Sequence, residues 1–332
     1  MVEQPASTEQ SIKADKPFNI DTFISEYEPK IKACLIEVVS HNDNKDTLLK
    51  YIQGGKNLRG KLALLTYFAC GGTNEQTGLK IAAASELSQS ASLIKDDIID
   101  KDVTRRGADS AWVENGPLEA VRTADTMIIT GLDTLVEFGA TLVKTFVGGW
   151  KEAWTGESKE FNALQGLEKI EGPAYKFYIQ TIRQKTAALF VMSAKLGAEG
   201  AGASSELINI MANYGMNLGI AYQLGDDYVD FSISKIKALP KIGVVTAAQV
   251  EQSLKTGVIE AVTKGKFNIG QIFSEMDINA VEFYKEQIKE YVNIAMSYAV
   301  HLLVPSTKYL PLLRDFPNYC VKQMLAEGKV EL

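Results

Sequence analysis

Residues 73–101 read TNEQTGLKIAAASELSQSASLIKDDIIDK. Thr73 with Gln76 three positions on has the form of a capping box, and apart from Gly78 nothing interrupts a helix as far as Lys101. Leu79, Ala83, Leu87, Ala91, Ile94 and Ile98 recur at helical spacing and mark one apolar face. Ser85, Gln89, Ser92, Asp96 and Asp100 fall on another face at steps of three and four, so small polar side chains lead along the helix to two carboxylates.

Helix is also the reading elsewhere. Nine prolines occur in the chain, with none between Pro29 and Pro117 or between Pro117 and Pro173, which leaves room for long helices. From Val281 the residues Tyr284, Ile288, Tyr291, Ala295, Tyr298 and Leu302 trace one apolar stripe. Phe23, Tyr27, Ile31, Cys34 and Val38 trace another, which Pro29 is predicted to kink or split. Pro173 suits a first helical turn and Gly197 a stop, framing a helix through Lys185, and a further helix is predicted from about Glu206 to Phe231. Strand-type alternation is not sustained, and no Gly/Ser linker or composition shift divides the chain. The expectation is one all-α domain over 18–332, preceded by a polar disordered tail over 1–17.

Composition narrows the function. Of 332 residues 46% are hydrophobic, enough for a packed core, and 41 acids against 35 bases give a net charge of −6. An acidic balance argues against a nucleic-acid surface, which needs Lys and Arg in excess. Cys34, Cys70 and Cys320 show no C-x-x-C spacing, so neither a zinc site nor a redox disulfide is expected, and a reducing compartment is. The first 17 residues lack the pattern of a signal or transit peptide. The apolar region Met127 to Trp150 is broken by Asp133, Glu137 and Lys144, so no transmembrane segment is expected and the reading is a cytoplasmic protein.

The carboxylates at the end of the opening stretch have a counterpart. Asp96-Asp97-Ile98-Ile99-Asp100 and Asp226-Asp227-Tyr228-Val229-Asp230 share one pattern 130 residues apart, each with acids at i and i+4 on one helical face. Like charges at that spacing repel, more so where solvent is excluded, so something cationic belongs between them. Oxygen ligands with no Cys or His nearby select a hard ion such as Mg²⁺, which keeps part of its shell for waters and phosphates. One such pair also suits a solvated acidic surface; two, embedded in apolar helices, argue against that. The cationic partner is Gly54-Gly55-Lys56-Asn57-Leu58-Arg59-Gly60-Lys61, joined by Arg105-Arg106-Gly107. Glycines let the backbone approach an anion, Arg offers a fork of donors and Lys a point charge. The Walker spacing is absent. Basic loop and acid pairs together suggest two phosphorylated ligands, one held through metal and one by bare cations.

These segments resemble the trans-isoprenyl diphosphate synthases, the polyprenyl synthetase family, from about residue 45 to the C-terminus. The basic loop resembles that family's GGKRLRP motif. Residues 93–100 with Arg105-Arg106-Gly107 resemble its first aspartate-rich motif, Lys185-Thr186 with the four residues after them its Lys-Thr motif, and residues 222–231 its second aspartate-rich motif. The resemblance implies a helical bundle around a deep central cavity with the acidic helices facing each other at the mouth. It implies that Asp96, Asp100 and Asp226 ligate Mg²⁺ bridging an allylic diphosphate, with Asp97 and Asp230 in support and Arg105, Lys185, Thr186 and Gln223 on the same ligand. Lys56, Arg59 and Arg106 would hold isopentenyl diphosphate, and Gln89 stands where the family has His or Gln. The implied reaction is ionisation, condensation and elimination, with the released diphosphate taking the proton, in a cavity that keeps water from the carbocation. His41 and His301 lie near no motif and are read as structural. A homodimer is implied.

The growing chain is expected to run down the helix below Asp96, past Ser92, Ala91 and Ser88. No aromatic stands four or five residues before Asp96, which predicts a product of at least twenty carbons unless Tyr214 or Phe146 supplies the floor. Lys95, Asn57 and Gly60 depart from the family pattern, Gly60 replacing a proline. After the second motif the usual Gly-Lys order is missing from Ser232 to Gly243, although Lys235, Lys237 or Lys241 could substitute. That departure keeps open a slow or partner-dependent synthase and a non-catalytic regulatory subunit; a terpene cyclase is disfavoured by the basic loop.

Overall fold

The computed structural model describes residues 18–164, 174–234, 280–299 and 304–332. The helices are α1 (Ile20–Val39), α2 (Lys45–Ile52), α3 (Leu58–Ala69), α4 (Glu75–Ile99), α5 (Ala111–Asn115), α6 (Pro117–Val136), α7 (Ala140–Leu164), α8 (Ala174–Lys185), α9 (Ala187–Gly200), α10 (Ser205–Ser234), α11 (Ala280–Tyr298) and α12 (Leu310–Gly328). Among the described residues the only strands are β1 (Thr104–Arg105) and β2 (Ala108–Asp109), an antiparallel pair that turns the chain back after α4. The predicted tail over 1–17, His301 and all but the first three residues of the altered stretch from Ser232 to Gly243 lie outside the described residues.

The opening stretch is α4, capped one residue later than predicted. Asn74, not Thr73, is the N-cap; its Oδ1 accepts the Thr77 N–H at 3.1 Å. The α4 helix packs against α1, α3, α6 and α9, so in its middle Ile81 to Ser88 are all buried whatever face they occupy. That enclosure places Ser85 and Glu86 inside the bundle. All twelve residues of α3 are buried too, its charged Arg59 and Lys61 included. Lys61 is satisfied by Glu28 at 2.7 Å and faces the Tyr319 ring, which makes it a structural cation.

Two predicted breaks fall differently, and one break was not predicted. The α1 helix continues through Pro29, which is exposed, so the Ser25 carbonyl it leaves without a partner faces water. Gly197 lies inside α9 and does not end it. A Cβ there would stand 2.2 Å from the Ala63 carbonyl oxygen and from Thr66 Oγ1, so this glycine lets α9 cross close against α3. The helix predicted from Pro173 through Lys185 is divided at Thr186 into α8 and α9. One apolar cluster joins α1 to α4, α6, α7, α9 and α10, and a smaller one joins α8, α10, α11 and α12 around Tyr228, Tyr284 and Ile288.

Candidate active site

An open cavity of about 2040 Å³ lies between α3, α4, α7, α8, α9 and α10. Every residue predicted for catalysis, metal binding or diphosphate binding lines it, from Lys56 on the basic loop to Asp230 on α10. The two acidic motifs enter from α4 and α10, and β1 and β2 carry Arg105 and Arg106 to its rim.

Both motifs divide their acids the same way. The second aspartate of each is buried and engaged by protein. Arg105 donates through Nε, at 2.9 Å, and Nη2 to Asp97 Oδ1. Tyr178 Oη and Gln223 Nε2 donate to Asp227, the latter at 3.0 Å. The first and fifth aspartates face the cavity, Asp96 and Asp226 recessed, Asp100 and Asp230 exposed towards its mouth. Burial holds the Asp96 carboxyl up to about 7, although Lys185 pulls it down. Burial, reinforced by Asp230, holds Asp226 up to about 6, and burial holds Asp227 up to about 7.

Lys185 closes the last turn of α8 and is held by Glu157 and Glu160 of α7, each at 2.7 Å. Burial alone would lower its pKa; Glu160, Asp96 and Glu157 outweigh it and hold the ammonium above the ordinary lysine value. Sequence reasoning missed both glutamates, whose only sequence signal is an i, i+3 acid pair on a helix remote from every motif. Thr186 and Gln223, expected on the ligand, form a chain: Thr186 Oγ1 donates to Gln223 Oε1 at 2.6 Å, and Gln223 Nε2 donates on to Asp226 at 3.2 Å as well as to Asp227. Their first role is to order the second acid pair.

The basic loop presents a second, separate set of cations. Arg59 is 6% exposed, with its guanidinium 4.1 Å from the Phe190 ring centre and 5.0 Å from that of Tyr222. Stacking of this kind favours Arg over Lys and leaves the guanidinium edges for hydrogen bonds. Lys56 Nζ meets the Gln323 carbonyl at 2.6 Å and Glu327 at 2.8 Å. Arg106, in a left-handed backbone conformation, reaches back to the Gln53 carbonyl and lies over Gly55, where a Cβ would come within 3.4 Å of its Nη2. Gln89 Oε1 is buried without a hydrogen-bond donor among the described residues.

The carboxylates suit a hard divalent cation. Among the described residues no group of three His, Cys, Asp or Glu side chains stands close enough to hold a metal ion by itself, so an ion here would draw the rest of its shell from substrate oxygens and water. Asp96 receives no side-chain hydrogen bond from the described residues, yet burial disfavours its ionised form. A divalent cation is what would favour that form.

The three chain-length residues do not share one position. Of Ser92, Ala91 and Ser88 only Ser92 lines the cavity; Ala91 and Ser88 are fully buried, because that turn of α4 is enclosed by neighbouring helices. Tyr214 is buried with its hydroxyl donating to the Leu313 carbonyl at 2.7 Å, and does not line the cavity. Phe146 is packed where a Cβ on Gly131 would meet both its ring at 3.1 Å and the Ala84 carbonyl at 3.3 Å, three turns below Asp96. The bulky wall that does line the cavity is Trp150 with Ala153 and Trp154, on α7.

Comparison with known proteins identifies this arrangement. The polyprenyl synthetase family model matches residues 43–243. The chain belongs to the polyprenyl synthetase family. It is 33% identical over 180 residues to a geranylfarnesyl diphosphate synthase of Methanosarcina mazei, a match spanning 54% of this chain and 58% of that protein. It is 28% identical over 317 residues to a hexaprenyl pyrophosphate synthase of Saccharolobus solfataricus, covering 93% and 99%. In fold it is similar to a crystal structure of a polyprenyl synthase from Caulobacter crescentus complexed with calcium and isoprenyl diphosphate, at TM-score 0.75 and 20% identity over 93% of this chain and 99% of that one. No helix among the described residues is long and apolar enough to cross a membrane.

Proposed function

We propose that this prenyltransferase joins isopentenyl diphosphate to an allylic diphosphate, head to tail and trans, to give geranylgeranyl or a longer polyprenyl diphosphate, using Mg²⁺ carried by Asp96, Asp100 and Asp226. The observation that carries this reading is the separation of two anion sites in one cavity, one acid-lined and one made of cations without acids of the motifs. Joining two diphosphates requires both. The names of the relatives, among them geranylgeranyl, geranylfarnesyl, hexaprenyl and nonaprenyl diphosphate synthases, support an elongating enzyme.

The allylic diphosphate sits between the acid pairs with Lys185 beside it, and isopentenyl diphosphate lies on Lys56, Arg59, Arg106 and Gln89. Asp96, Asp100 and Asp226 would hold Mg²⁺, which when bound would neutralise charge developing on the leaving diphosphate. Lys185 adds a fixed ammonium at the same place, and Asp227, Gln223 and Thr186 hold Asp226 in position. The allylic C–O bond breaks, the isopentenyl double bond attacks the carbocation, and the proton lost passes to the released diphosphate. Trp150, Ala153 and Leu189 keep water from the cation. Both aspartate motifs are complete, which weighs against a non-catalytic subunit and a terpene cyclase.

Incubation with isopentenyl diphosphate and dimethylallyl, geranyl or farnesyl primer, with Mg²⁺ or chelator, tests this. Elongation only with Mg²⁺ is expected, and no elongation with any primer overturns it. In the same assay Trp150→Ala, which removes bulk from the cavity wall, is expected to lengthen the product by one or more isoprene units; an unchanged product places the floor elsewhere.

The chain works as a homodimer through α6 and α7. Leu118, Ile129 and Val136 fall on one face of α6, and Val147, Trp154 and Phe161 recur every seven residues on α7, all exposed. Large apolar side chains exposed at helical spacing on two successive helices favour a contact surface over scattered surface residues. Trp154 and Phe161 also line the cavity, so a second copy shields that wall. Light scattering should give twice the chain mass for the wild type and the single mass for Ile129→Glu with Val147→Glu. A wild-type monomer at micromolar concentration sinks the dimer.

A further inference from the structure

The first N–H groups of a helix have no acceptor within it, and those of α3 lie beside Arg59. Asn57, at the N-cap, has left-handed backbone (φ 52°) and makes no side-chain capping bond. The acceptor comes from another helix: Glu86 Oε1 of α4 takes the Gly60 N–H at 2.6 Å. Glu86 is 5% exposed, and Arg59, Lys61 and Arg106 all act on its charge. Burial holds its carboxyl above the ordinary value, and the Gly60 N–H with Arg59, Lys61 and Arg106 opposes that shift in part.

Gly60 is what permits the contact. A Cβ at that position would lie 2.8 Å from Glu86 Cγ and 2.9 Å from the Ala82 carbonyl oxygen. The proline usual in the family's basic motif would have no N–H to give. This departure in the sequence therefore corresponds to a specific bond between α3 and α4. Phe190 and Tyr222 fix the plane of the Arg59 guanidinium, whose Nε has no partner among the described residues. Where that guanidinium stands along the cavity is set by where α3 begins.

We infer that Glu86 is a positioning residue for the isopentenyl diphosphate site, locking the first turn of α3 through Gly60 so that Arg59 meets the diphosphate. The inference rests on the proposed function. It assigns Glu86 no contact with substrate, and its effect is expected on one substrate only, because the bond it makes acts on the start of α3, whereas the acid pairs and Lys185 stand on α4, α10 and α8.

The test uses the full-length enzyme, with steady-state kinetics for both substrates and calorimetric titration of isopentenyl diphosphate in the absence of primer. Losing a hydrogen bond to a charged group gives an expected rise of about tenfold in the KM and Kd for isopentenyl diphosphate in Glu86→Ala. The primer KM, and kcat at saturating isopentenyl diphosphate, stay within about twofold on the same argument. Glu86→Gln, whose amide oxygen accepts the same bond, restores most of the affinity. Should Glu86→Ala not fold, Glu86→Asp, which falls one methylene short of Gly60, should show the same split. Equal rises in both KM values, an unchanged Kd, or a Gln variant as impaired as Ala overturns the positioning role. A wild type that binds isopentenyl diphosphate but elongates no primer overturns the proposed function instead, with the Kd of the variants still deciding the role of Glu86.

Discussion

Asp226→Asn lowers kcat for elongation by about 10³-fold, and Asp96→Asn does the same, the scale set by removing a preorganised electrostatic group from a transition state in which charge develops. The substitution keeps the side chain's shape and removes only its ionisable oxygen. Gln223, which donates to Asp226 at 3.2 Å, can still bond an Asn oxygen, so the local fold is retained. The proposed isopentenyl diphosphate site has its own cations on the basic loop, so the KM for isopentenyl diphosphate should move little. A fall in kcat with that KM constant, measured by product formation at saturating primer, identifies the acids as acting on the departing diphosphate. If Asp226→Asn keeps a tenth or more of wild-type kcat, Asp226 is not a required ligand.

Asp227→Asn offers an internal contrast. Asp227 is buried and receives Tyr178 and Gln223, whereas Asp226 is only partly buried and among the described residues receives Gln223 alone, so loss of the Asp227 charge is expected to cost less kcat than loss of the Asp226 charge. The sequence motif makes the two residues look equivalent. Only the tertiary placement of Tyr178, 49 residues earlier on α8, separates them.

The legible part of this molecule was whatever local spacing controls. Acids at i and i+4 inside apolar helices marked the cavity face of α4 and α10, because no other arrangement explains charge there without a counter-ion. Helix identity followed from the 3.6-residue period. What was not legible depends on which helix lies opposite. Gly197 has the look of a stop and is a crossing point, because the backbone of α3 occupies the space of its missing Cβ. Ser88 and Ala91 continue the polar and small pattern below Asp96, yet neighbouring helices enclose them while Trp150, 54 residues from Asp96 along the chain, forms the cavity wall. Glu157 and Glu160 carry no motif of their own; their meaning comes from Lys185 standing between them. Glu86 reads as one more helix-forming residue until its oxygen is found on Gly60.

Metal removal should both stop elongation and change how stability depends on pH. In the metal-free protein burial holds Asp96 and Asp227 up to about 7 and Asp226 up to about 6, against an ordinary value of 3.8. An acid whose folded pKa lies above its unfolded one contributes stability that is fully present below the unfolded value and is lost as pH rises through the folded value. In chelator the melting temperature should therefore fall from pH 5 to pH 8. A cation binds the ionised form, so Mg²⁺ with inorganic pyrophosphate should raise the melting temperature more at pH 8 than at pH 5. Asp226→Asn cannot ionise. In chelator its melting temperature relative to the wild type should rise by about 2 °C or more between pH 5 and pH 8, since each kcal/mol is worth about that much in a chain of this size. A variant that loses activity while gaining stability is the mark of a residue kept charged in a buried place for function. If wild type and Asp226→Asn keep the same difference at both pH values, the folded protein does not penalise the Asp226 charge, and the case for a required cation beside it fails.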